Sequence, residues 1–268
     1  MRGRSLCTIG ALAVGFCAVP ALALQGRLIA IDSSRALYDI DVNTGAKTQF
    51  ATASANAGTT GGLAYDEDTG TVWLTSTSLD QLFTLDLVTG NATLVGDYGS
   101  NVVMHGLEWD SSTNTLYGAS STPNTFYKID INTGFATAIG GMGLNSFWNL
   151  GYDSDTDTMY GTHSGTTDSF YRIDRSTGMP TLIGVLGGVP ASTNPNGLAY
   201  DRDNGIMYMI DNTTDFLYKI DVTTGAATAI GSTGPGNLLG LLYIPKIPAP
   251  GAVALLGLAA LPLRRRRA

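Results

Sequence analysis

Between Leu24 and Ile247 the chain is written in short runs of alternating apolar and polar residues, broken by clusters of Gly, Asn, Asp, Ser and Thr. Period-two alternation predicts strands with one packed face, and long amphipathic helical patterns are absent. Two phrases recur. One is aromatic-x-Ile/Leu-Asp-x-x-Thr-Gly, with its aspartate at Asp41, Asp86, Asp130, Asp174 and Asp221, spaced by 45, 44, 44 and 47 residues. The other is Gly-Leu-x-aromatic-Asp, a turn and a second strand, as in GLAYDEDTGTVW from Gly62. It returns from Gly106, Asn149 and Gly197, with a truncated GLLY from Gly240.

Each repeat therefore reads as four strands: GLAYD, then TVWLTST, then LFTLDL, then ATLVG. In the Asp-x-x-Thr-Gly turn the carboxylate is placed to accept from the backbone N–H groups two and three residues on. The glycine takes the left-handed conformation that strains a residue with a Cβ. Repeats of this size predict propeller blades. RLIAIDSSRALYDIDVNTGAKTQFATA at the start has strands two to four but no GLAYD strand, and NLLGLLYI at the end supplies only that strand. The fold expected is an all-β, five-bladed β-propeller closed by pairing the C-terminal strand with the N-terminal ones. A six-bladed ring is the competing count, but no leftover stretch is long enough for a sixth blade.

The ends read differently. Residues 1–23 open with Arg2 and Arg4, continue with an apolar run from Ile9 to Val19, and finish Pro20-Ala21-Leu22-Ala23. That is the pattern of a signal peptide cleaved after Ala23. Cys7 and Cys17 both lie in it, so the expected mature chain carries no disulfide or thiol chemistry. Residues 248–268 comprise a Pro248-Ala249-Pro250 motif, an apolar run from Gly251 to Leu263 and the cluster Arg264, Arg265, Arg266 and Arg267. As a helix the run would be roughly 20 Å long, short of a hydrocarbon core of about 30 Å. The arginines would stay on the cytoplasmic side. This tail closely resembles the PEP-CTERM sorting signal, with Ala249 where the family motif has Glu. The resemblance implies a bacterial, secreted or cell-surface protein with transient membrane contact. It also implies an exosortase-type processing enzyme as a partner, in bacteria that make extracellular polysaccharide.

Charge narrows the partners. The region 24–247 holds all 22 acidic residues and nine of the 15 basic ones, a formal charge of −13. Such a surface repels nucleic acid and anionic membranes. Asp153-Ser-Asp155-Thr-Asp157 has the first three oxygens of a calcium loop, but Thr158 and Ser164 stand where an EF-hand needs Gly and Glu. Turn chemistry explains the segment, and weak Ca2+ binding at Asp153, Asp155 and Asp157 is the alternative; no other cofactor is expected. Asp68-Thr-Gly70-Thr-Val-Trp73 partly resembles the Asp-box turn of sialidase-type propellers, with Asp66 in place of the usual hydroxyl residue. That box is a folding element, and no arginine cluster suited to a sugar carboxylate accompanies it.

No Gly-x-Ser-x-Gly elbow occurs. Along the innermost strands the middle position reads Ala64, Glu108, Gly151, Ala199 and Leu242. One carboxylate is not a hydrolytic dyad. The repeat breaks just before these strands, at Gly61, His105, Trp148, Asn196 and Leu239, positions expected in loops at one channel mouth. His163, Asn145, Phe147, Asn194 and Asn237 are expected on the same face. Aromatic rings with amides suit sugars, since the ring stacks while the amides meet hydroxyls. The expected role is a non-catalytic extracellular or cell-surface module that binds or organises polysaccharide or surface proteins. Its ligand residues would be His105, Glu108, Phe147, Trp148, His163, Asn194, Asn196 and Asn237. A glycan hydrolase or lyase, which needs a second carboxylate beside Glu108, and a purely structural surface-layer protein are the alternatives.

Overall fold

The computed structural model describes residues 26–99, 101–144 and 147–246, with the backbone alone at 147 and 148. Residues 1–23, expected to be a signal peptide, the Pro248–Pro250 motif, the C-terminal apolar run and Arg264–Arg267 lie outside the described residues. So do Asn145 and the side chains of Phe147 and Trp148.

Among the described residues, twenty strands form five antiparallel four-stranded sheets. The first blade contains β1 (Arg27–Asp32), β2 (Ala36–Ile40) and β3 (Lys47–Thr52). The second is β4 (Thr60–Asp66), β5 (Thr71–Ser76), β6 (Gln81–Leu85) and β7 (Ala92–Asp97). The third is β8 (Val103–Asp110), β9 (Thr115–Thr122), β10 (Asn124–Ile129) and β11 (Ala136–Gly141). The fourth runs through β12 (Phe147–Asp153), β13 (Thr158–His163), β14 (Ser169–Ile173) and β15 (Pro180–Val185). The fifth is β16 (Pro195–Asp201), β17 (Ile206–Asp211), β18 (Phe216–Ile220) and β19 (Ala227–Ser232). Last comes β20 (Leu238–Ile244), which pairs antiparallel with β1 and gives the first blade its innermost strand. The ring closes as the truncated repeat requires, with five blades.

The turns follow the sequence chemistry. Asp41 Oδ1 accepts from the N–H groups of Asn43 and Thr44 at 2.8 and 3.1 Å, and Asp86, Asp130, Asp174 and Asp221 hold equivalent turns. The glycines that end them, Gly45, Gly90, Gly134, Gly178 and Gly225, have φ between +75° and +78°. Those glycines do more than turn the chain. Gly134 abuts Gly96 of the preceding blade, Gly178 abuts Gly140, Gly225 abuts Gly184 and Gly45 abuts Gly231. A Cβ on Gly96, Gly140, Gly184 or Gly231 would come closer than 3.0 Å to a backbone carbonyl oxygen of the next blade. At these four boundaries the Thr-Gly of the turn and the glycine of the outer strand thus form a bare-backbone joint between neighbours, whereas Gly90 meets the Thr52 carbonyl of the first blade.

Each outer strand also carries a bulge, at Phe50, Val95, Ile139, Ile183 and Ile230, just before the outer-strand glycine in four blades and before Ala51 in the first. Such bulges twist an open edge away from further pairing. The core is divided to match: five apolar clusters, each bridging two adjacent blades. Leu63, Leu107, Leu150, Leu198 and Leu241, one from each inner strand, are all about 2 % exposed. They lie along the wall of the upper channel.

Candidate functional site

The central channel is nearly filled. Its upper part, lined by the leucines, His105, Asn149 and Leu239, has a volume of only about 10 Å³. Its lower part, ringed by Tyr65, Trp109, Tyr152, Tyr200 and Tyr243, has about 20 Å³. That is room for a water or two and far below the space a sugar ring needs. At the lower end Arg202, in the turn after β16, forms an ion pair with Glu67, in the turn after β4. It spans from the fifth blade to the second across the mouth.

Glu108 sits in this lower cavity. Its carboxylate accepts from its neighbour's backbone, Trp109 N–H, at 2.9 Å, and also from Tyr152 N–H of the next blade. Innermost strands leave backbone donors facing the axis, and Glu108 satisfies two of them. By area the residue is half-buried, because the cavity opens beside it, but the wall around it holds off bulk water. Desolvation therefore dominates and pushes its pKa up to about 8. Among the described residues no second carboxylate lines the cavity, so the two-carboxylate arrangement of a glycosidase does not form there.

The positions where the repeat breaks are not in loops, as the sequence led us to expect. They lie inside the lengthened inner strands, and the register slips there in every blade. His105, Trp148 and Leu239 are themselves the extra residues of the bulges, while Gly61 with Gly62, and Gly197 beside Asn196, occupy the slip in the other two blades. Alternation hid this, because a bulge adds one residue without changing residue type. Half-buried His105 has its pKa lowered by desolvation. His163 ends β13 and meets the edge of Tyr171, with ring centroids 6.2 Å apart.

Asn194, Asn196 and Asn237 come together at the upper end of the fifth blade. Asn196 Nδ2 donates to the Asn194 carbonyl at 3.1 Å, and Asn212 Nδ2 donates to Asn237 Oδ1 at 2.8 Å. The sequence reading missed Asn149, which stands where the other blades have glycine. Its Nδ2 donates to Thr162 Oγ1 (3.1 Å) and to the Pro195 carbonyl (2.9 Å), and its Oδ1 accepts from Gly197 N–H (2.8 Å), tying the fourth blade to the fifth. The departure from Gly in NLGYD was its only signal.

Asp153, Asp155 and Asp157 do not converge on one point. Asp153 caps its own turn, accepting from Asp155 N–H and from Thr156. Asp155 accepts from Tyr200 Oη of the next blade at 2.8 Å. Asp157 takes the left-handed turn position, with φ +53°, and accepts from Tyr152 Oη at 2.7 Å. Among the described residues no group of three His, Cys, Asp or Glu side chains is placed to hold a metal.

A groove of about 550 Å³ lies on the lower face between the third and fourth blades. Arg175 anchors it. This residue follows Asp174, where the other turns carry Val42, Leu87, Ile131 and Val222. It pairs with fully buried Asp110 and with Asp157 at 2.9 Å, and its guanidinium lies 5.6 Å over the Tyr152 ring. Burial opposes the charge on Asp110, but hydrogen bonds from Ser112, Thr113 and Arg175 outweigh it and hold the pKa below the ordinary carboxylate value. Arg175 and Tyr152 hold Asp157 low as well. Beside them exposed Arg172 and the hydroxyls of Thr113, Thr158 and Ser176 line the groove over Met159 and Ile173.

A scan against protein-family models finds no match. A search of curated proteins finds none either. Solved structures do match. A chain of the nidogen/laminin complex is 12% identical over 81% of this chain and 98% of that one, with a TM-score of 0.58. A Bacteroides thetaiotaomicron protein of unknown function is 18% identical over 80% and 58%, with a TM-score of 0.56. A gluconolactonase from Xanthomonas campestris is 17% identical over 84% and 77%, with a TM-score of 0.52. At these identities the likeness is one of fold: this chain is an all-β, five-bladed propeller similar in architecture to those proteins.

Proposed function

We propose that this protein is a non-catalytic binding module, secreted to the cell surface and sorted through its PEP-CTERM-like tail, that holds polysaccharide in the groove between its third and fourth blades. The filled channel carries this reading. With about 10 and 20 Å³ inside and about 550 Å³ outside, a saccharide has room only on the outer surface. The groove's lining suits it: guanidinium, carboxylate and hydroxyl groups meet sugar hydroxyls, and Met159 and Ile173 offer an apolar floor. Arg175 and its two carboxylate partners are held rigid, so little ordering entropy is lost on binding. The groove mixes both charge signs, which fits a neutral glycan on a body of charge −13.

The test is a glycan-array screen of the secreted protein, with Arg172→Ala and Trp148→Ala beside the wild type. Specific binding lost in Arg172→Ala and kept in Trp148→Ala is the expected result. Loss in Trp148→Ala alone moves the site to the upper rim. Turnover of a bound glycan, abolished by Glu108→Gln, replaces the binding reading with an enzymatic one.

A further inference from the structure

On the upper face the connection from β15 to β16 is the long segment 186–194, and two buried carboxylates meet under it. Ser192 Oγ lies 2.9 Å from Asp211 Oδ2 and 3.4 Å from Asp168 Oδ2, and all three residues are buried. Asp211 is saturated as an anion. Its Oδ2 accepts from the N–H groups of Thr193 and Asn194, each at 2.8 Å, and its Oδ1 from Thr213, Thr214 and the Thr214 hydroxyl. A serine hydroxyl owns one hydrogen. If that hydrogen goes to Asp211, the contact with Asp168 is a hydrogen bond only when Asp168 supplies a proton of its own.

We propose that Asp168, Ser192 and Asp211 form a proton-operated latch: protonated Asp168 donates to Ser192 Oγ, Ser192 donates to Asp211, and loss of the Asp168 proton loosens segment 186–194 on the upper rim. On ionisation, Asp168 would face the Asp211 carboxylate across one hydroxyl whose single hydrogen cannot serve both. The groups facing Asp168 are few. Burial raises its pKa most, Gly165 N–H (3.1 Å to Oδ1) opposes, the Asp211 charge raises it further, and His163 lowers it, as Ser192 does only when its hydrogen turns from Asp211 to Asp168. The net direction is upward. Burial also works against the charge on Asp211, but the N–H groups of Thr214, Asn194 and Thr193 outweigh it and keep that pKa low. The sign follows: the latch holds below the raised pKa of Asp168 and releases as pH rises through it. Release would free the rim that carries His163 and Asn194.

The experiment is an NMR titration of the mature protein from about pH 3 to about pH 9, following the Asp168 carboxyl carbon and the amides of Ser192 and Thr193. The expected result is an Asp168 midpoint above the ordinary aspartate value of 3.8, with both amides shifting at that same midpoint. Asp168→Asn, which keeps a donor at the position, should abolish the amide shift and hold the segment closed across the range. Amides that stay flat while Asp168 titrates would overturn the proposal, as would an Asp168 midpoint at or below 3.8. The wild-type titration decides the matter even if the variant does not fold.

Discussion

Replacing Glu108 by Gln keeps a carbonyl oxygen for the N–H groups of Trp109 and Tyr152 and removes the titrating carboxyl from the channel. The folded protein holds a proton on Glu108 up to about pH 8, whereas the unfolded chain releases it near 4.5. Between those values the native state binds one proton more than the unfolded state, so stability falls as pH rises. A shift of that size, at about 1.4 kcal/mol per pH unit, sets a ceiling of about 5 kcal/mol. Water in the cavity and local relaxation should bring the observed loss to roughly 2–3 kcal/mol. The assay is urea unfolding of wild type and variant at about pH 5 and about pH 9. All other groups titrate alike in both proteins, so the difference between the two pH slopes isolates Glu108. The variant should match the wild type at the lower pH and exceed its stability by roughly 2–3 kcal/mol at the higher. Parallel pH profiles would refute the reasoning.

Three further outcomes follow from the packing. Gly140→Ala should cost about 3 kcal/mol in urea unfolding, because its Cβ strikes the Thr177 carbonyl. Gly70→Ala, with φ +73° but nothing within 4 Å, should cost only about 1 kcal/mol. Equal costs would contradict the joint between blades. Asn149→Ala should lose roughly 2–3 kcal/mol by leaving the buried Gly197 N–H without its acceptor, and a loss under about 0.5 kcal/mol would show that the amide clamp is idle. Arg175→Met leaves Asp110 charged and buried, at a cost of about 3 kcal/mol near neutral pH. The pKa of Asp110 then rises, so the native state takes up that proton more readily and the variant's deficit should shrink as pH falls; a deficit that stays constant from neutral to acid pH would remove Arg175 from that role.

The architecture was legible because it is written locally. Asp41, Gly45 and their four repeats each act within one turn, and a missing GLAYD strand at one end with a spare one at the other dictates the closure. What acts between blades was not legible. Gly140 reads as an ordinary strand glycine until the next blade's Thr177 is set against it, and Asn149 reads as a loss of consensus until Gly197 arrives 48 residues later. The site was harder still. His105 and Trp148 stand out in the sequence as departures from the repeat, but their placement depends on bulges that alternation does not record. The Arg175 groove had a signal in the sequence, an arginine where four other turns carry an apolar residue. Its partners Asp110 and Asp157 lie 65 and 18 residues away, so only the packed ring brings them together.

The most direct measurement is chemical-shift mapping of the protein with an oligosaccharide that scores on the array. The binding account predicts shifts at Thr113, Arg172 and Ser176 along the groove, with the amides around Glu108 and the channel leucines unmoved. Shifts centred on Glu108 and Tyr152, with the groove silent, would contradict it.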